Sequence, residues 1–116
     1  MLENFPYKNL IVWQKSVELV ILVYKLTEKF PRSEIYGLTS QMRRCSVSIP
    51  SNIAEGRRRG RSVEFQHFLR IAFGSGAELE TQTFISKRLG FGEAADYDAV
   101  ENILNEIMKI LNTMTK

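Results

Sequence analysis

The sequence predicts an all-α protein, an antiparallel up-down-up-down four-helix bundle in a single domain spanning residues 1–116. Three observations carry that expectation. Apolar residues recur at spacings of three and four along four long segments. No stretch alternates apolar and polar residues with a period of two, so no strand competes. The breaks between segments are short and hold the glycine and proline that tight helix-to-helix turns use.

The first helix is expected from about Leu10 to Phe30, with Asn9 as N-cap and Pro31 as its stop. Leu10, Trp13, Val17, Val20 and Tyr24 form one stripe, and Leu19, Val23, Leu26 and Phe30 a second. Two stripes leave most of the circumference apolar, which suits a helix covered on more than one side. Leu19, Val23 and Leu26 are therefore assigned to an oligomer interface. The second helix runs from Ser33 or Glu34 to about Gly56, with Ile35, Leu38, Met42, Cys45, Ile49 and Ile53 inward. Pro50 removes a backbone donor and crowds the Ser46 carbonyl, so the helix should kink or briefly break there. A turn over Gly56–Arg61 follows, with Gly56 and Gly60 as the permissive backbone positions.

Ser62 suits the N-cap of the third helix, with Glu64 in its first turn and Gly90 at its end. Gly74 and Gly76 cost about 1 kcal/mol each against alanine, so a neighbouring helix should approach closely there. The fourth helix should begin near Asp96 or Asp98, where Asp98 and Glu101 resemble a capping box. Val100, Ile103, Leu104, Ile107, Leu111 and Met114 give it a clean inward stripe.

Composition narrows the function. Cys45 is the one cysteine and His67 the one histidine, which excludes an internal disulfide and every zinc site built from several such ligands. The start, Met-Leu-Glu-Asn-Phe-Pro, has neither the basic nor the apolar region of a signal peptide. The longest apolar run, Leu19 to Tyr24, has six residues against the ~20 that span a bilayer. The expected setting is the cytoplasm, without a membrane partner. The net charge of +3 is unevenly spread: the segment from Arg43 to Arg70 nets +5 and the remainder −2. A local arginine cluster points to an anionic partner.

The leading candidate site is the turn bearing Arg57, Arg58, Arg59 and Arg61, with Arg43 and Arg44 as secondary contributors. Guanidinium groups pair with phosphates, and glycine lets a strand come near the backbone. No base-reading motif accompanies the cluster, so contact should be led by phosphates and weakly specific. Asn52 and Glu55, three apart on one helix face, are expected in a polar network that locks the Pro50 region. Cys45 lies on an apolar stripe and reads as a packing residue. Glu64-Phe65-Gln66-His67 is a single copy of a Glu-x-x-His motif that di-iron bundles need twice. No catalytic residue, metal ligand, cofactor or small-molecule substrate is expected, and an enzyme is not.

Several phrases together carry a resemblance: Phe5, Leu10 and Trp13-Gln14; Phe30-Pro31, Glu34 and Tyr36-Gly37-Leu38 with Gln41 and Arg44; Ser48 to Gly56; and Gly74-Ser75 with Glu78-Leu79-Glu80. They resemble the bacterial four helix bundle protein family, also called 23S rRNA intervening-sequence proteins, over nearly the whole chain. A related branch is the accessory variability protein of diversity-generating retroelements, a basic pentameric barrel. The resemblance implies a homopentamer that binds RNA or single-stranded DNA, with a reverse transcriptase as a further partner. The alternative is a protein-interaction scaffold that docks an acidic partner.

Overall fold

The computed structural model describes residues 6–116 and holds four helices: α1 (Ile11–Thr27), α2 (Leu38–Arg58), α3 (Ser62–Arg88) and α4 (Ala94–Met114). No strand occurs among the described residues. Phe5 lies outside them. Short 3-10 turns at Tyr7–Asn9 and Arg32–Glu34 lead into α1 and lie between α1 and α2. No helix among the described residues is long and apolar enough to cross a membrane.

Each helix packs on its neighbours in chain order, and α4 closes the ring against α1. Paired residues fix the directions. Lys15 reaches Glu106 at 2.6 Å while Lys29, near the other end of α1, reaches Asp96 at 2.9 Å, so α1 and α4 run oppositely. Lys87 with Glu101, and Gln66 with the Met114 carbonyl, do the same for α3 and α4. Cys45 meets Ser75, and Gly56 meets Phe68, across α2 and α3.

The core runs the length of the bundle between the four inward stripes. Leu19, Val23 and Leu26 are 0% exposed within it. They are not an oligomer interface: the second apolar stripe of α1 faces inward, and each buried Leu or Val contributes about 1.5–3 kcal/mol to this chain's own fold. Of the first stripe, Leu10 and Trp13 pack against the core, while Val20 is half-buried and Tyr24 is exposed beside Ile21, which is 64% exposed and belongs to neither stripe.

Helix boundaries shift from expectation for local reasons. Leu10, not Asn9, is the residue before α1, because the 3-10 turn carries the chain one residue further. α2 begins at Leu38 after Gly37, and the Glu34 carboxylate accepts the Leu38 N–H at 3.1 Å. The helix then passes unbroken through buried Pro50. Arg61, not Ser62, precedes α3, and neither α3 nor α4 has a side-chain cap; Asp98 lies inside α4 rather than at its start. The end of α3 is a Schellman motif. Gly90, at φ +79°, donates to Lys87 O at 3.1 Å, and Phe91 donates to Ser86 O at 3.1 Å.

Candidate nucleic-acid interface

The basic cluster straddles the end of α2 rather than filling a turn. α2 continues through Gly56, Arg57 and Arg58, and only Arg59 to Arg61 make the connection, with Gly60 at φ +75°. Gly56 serves close packing instead of a turn: a Cβ there would meet Phe68 Cβ at 2.6 Å.

This continuation sorts the four arginines into different roles. Arg57 follows Ile49 and Ile53 at intervals of four, so it extends the inward stripe and is 7% exposed, its guanidinium 5.7 Å from the Phe65 ring centre. It is therefore withdrawn from the candidate site. Arg59 is exposed but engaged: its Nη2 bonds Glu55 Oε2 at 2.9 Å, its Nη1 lies 3.6 Å from Glu64, and it covers the Phe68 ring at 5.2 Å. That arrangement ties the end of α2 to the first turn of α3. Arg58 and Arg61 are exposed, and neither is paired with an acid among the described residues. Arg58 lies 6.0 Å from the Tyr7 ring centre. Uncapped N–H groups of α3 add positive potential at the same end.

Arg43 and Arg44 do not join them. Arg44 precedes Arg58 by fourteen residues of continuous helix, about 21 Å along the axis at 1.5 Å per residue. Arg43 is a structural residue. Its Nε donates to Thr27 Oγ1 at 2.8 Å and its guanidinium sits 4.5 Å over the Tyr24 ring, closing the end of α1. Arg70, exposed about 12 Å along α3 from Ser62, and His67 between them extend the polar surface instead.

Asn52 and Glu55 separate in the same way. Asn52 Nδ2 donates to Ser48 O at 2.8 Å and Ser48 Oγ at 2.9 Å, and Ser48 bonds Ser75 at 2.9 Å. Glu55 belongs to Arg59, not to this network. Cys45 is buried, its thiol donating to Ser75 O at 3.1 Å; burial, with Glu78 nearby, pushes its pKa from 9.0 to about 11. Such a thiol is nearly all protonated at neutral pH and a poor nucleophile. Among the described residues no three His, Cys, Asp or Glu side chains gather to hold a metal ion.

The model of the 23S rRNA-intervening sequence protein family matches residues 8–113. No curated protein matches the sequence. Among solved structures, the chain is similar to a protein of unknown function from the S23 ribosomal protein family of Bacteroides thetaiotaomicron VPI-5482. The identity is 25% and the TM-score 0.80, over 91% of this chain and 99% of that one.

Proposed function

This chain belongs to the 23S rRNA-intervening sequence protein family, and on that premise we propose that it binds nucleic acid without catalysis, through phosphates, at the end of the bundle where α2 meets α3. One observation carries the reading: Arg58 and Arg61 stand exposed on either side of a short turn with no acidic partner among the described residues. Arg59 ties the end of α2 to the first turn of α3 through Glu55 and Glu64, which supports the backbone that carries Arg58 and Arg61. The sequence carries no base-reading motif beside these arginines, which supports binding that is tolerant of sequence.

Two arginines per chain make a weak site alone. Association of copies through the outer α1 face, where Val20, Ile21 and Tyr24 line a shallow apolar surface, multiplies the site. Linked sites gain ~10²–10⁴ in apparent affinity. The family resemblance supplies the expectation of five copies and of single-stranded RNA or DNA as the ligand.

Fluorescence anisotropy with random-sequence single-stranded RNA over a salt series tests this reading. The parent should lose affinity steeply with salt, with a log–log slope of about −0.7 per neutralised phosphate. Arg58→Ala/Arg61→Ala should weaken binding to every sequence alike and flatten the slope. If the double variant binds as the parent does, the site is elsewhere. If neither binds at low salt while an acidic protein does, the scaffold reading replaces this one.

A further inference from the structure

A second feature lies between α2 and α3, some 20 Å from the basic turn along α2. The surface there opens into a cleft of about 430 Å³. Its floor is made of small side chains, Ser48 and Ser75, with buried Cys45 behind them. The Ser48–Ser75 hydroxyl bond and the Cys45 thiol bond to Ser75 O hold that floor in place. Its rim is made of long ones: Gln41 and Arg44 from α2, Glu78 and Gln82 from α3. Positions 41, 44, 45 and 48 share one face of α2, and 75, 78 and 82 share one face of α3. Both helices thus turn a polar stripe toward the same groove.

The rim groups are under-used. Arg44 has one hydrogen bond, to Ser40 Oγ at 3.4 Å, and makes no ion pair among the described residues. Glu78 likewise has no hydrogen bond or ion pair there. Gln82 Oε1 is shielded from solvent without a donor. The cleft therefore presents a cation and an anion that make no ion pair with each other. A simple anion on Arg44 would be repelled by Glu78 beside it, and a simple cation on Glu78 by Arg44. A molecule carrying both charges answers the two poles.

The geometry points to this cleft as a binding site for a free α-amino acid, its carboxylate on Arg44 and its ammonium on Glu78. The planar guanidinium suits a carboxylate pair, and the ammonium has three protons to share. Charge-assisted bonds of this kind are the stronger class. The volume falls within the usual range for small-ligand sites. The sequence reading did not anticipate such a ligand, because α2 and α3 contribute their halves of the cleft from residues about thirty positions apart.

Differential scanning fluorimetry on the full chain, with each of the twenty free amino acids at 10 mM, is the test. At least one should raise the melting temperature, by roughly 5 °C where its concentration is ten times Kd. Titration calorimetry with that amino acid should show at least a tenfold loss of affinity in Arg44→Gln and in Glu78→Gln. Both residues are exposed, so circular dichroism should show both variants folded. The corresponding amine without its carboxylate, and the N-acetyl derivative, should not bind. The proposal fails if no amino acid shifts the melt, if either variant binds as the parent does, or if the derivatives bind equally well. None of these readouts involves nucleic acid, so the basic turn stands or falls separately.

Discussion

Gly56 and Phe68 are as close as two helices allow: a Cβ added to Gly56 would lie 2.6 Å from the Phe68 Cβ, an atom fixed directly to the α3 backbone. Gly56→Ala should therefore destabilise the protein by about 1–3 kcal/mol despite alanine's better helix propensity. Gly74 gives the contrast, since nothing lies within 4 Å of its missing Cβ. Gly74→Ala should stabilise by about 0.5–1 kcal/mol. Urea melts of the two variants should move in opposite directions.

Adjacent arginines in α2 should also separate. Arg43→Ala removes the bond to Thr27 and the cover over Tyr24, and should cost about 1–2 kcal/mol. Arg44→Ala should stay within about 0.5 kcal/mol, as its side chain is exposed and only weakly bonded. Chemical denaturation of both, side by side, checks the division.

Alkaline stability should depend on Cys45. Its folded pKa of about 11 lies above the ordinary 9.0. Below pH 9 the thiol is protonated in both states and its contribution is whole. Between pH 9 and 11 the unfolded thiol ionises first, and stability falls by up to about 3 kcal/mol. Tyr97, raised above 10.0 by burial, adds a loss of the same sign starting near pH 10. Cys45→Ala should show a shallower decline in unfolding free energy from pH 9 to 10.5 than the parent, and parallel curves would refute the assignment.

Assembly can be probed without touching the core. Ile21→Glu alters the outer α1 face, where Ile21 is 64% exposed, and should shift sedimentation to the single chain with helicity intact. Val23→Glu, at 0% exposure, should instead unfold the bundle. A parent that sediments near 13.4 kDa at micromolar concentration would exclude self-association.

Much of this architecture was legible in the sequence, because four amphipathic stripes and the Gly90 stop are local signals. On α1 the choice between two apolar stripes was not, since hydrophobicity alone does not say which one meets α2 and α4. The fate of Arg57 was half legible. Its spacing from Ile49 and Ile53 continues the inward stripe, but Gly56 looks like a turn residue until Phe68 is seen beside it. Of the four arginines the sequence offers as equivalent, the structure buries Arg57 and pairs Arg59 with acids, leaving Arg58 and Arg61 exposed.

The two extremities of the bundle differ in their mix of side chains. Arg58 and Arg61 stand with exposed Val63 at one, while exposed Ile35, Tyr36 and Leu89 stand among Arg32, Arg88 and the Lys29 ion pairs at the other. The molecule measures 46 × 24 × 21 Å. Held by its arginines, it would stand upright on a polyanion instead of lying along it, with a footprint set by the two short dimensions. A 24 Å width spans roughly seven phosphates of one strand, at about 3.4 Å each. Two guanidinium groups occupy few of these, so crowding between neighbours, rather than exhaustion of charge, would set the saturation density on a long strand, with Ile35, Tyr36 and Leu89 facing away from it.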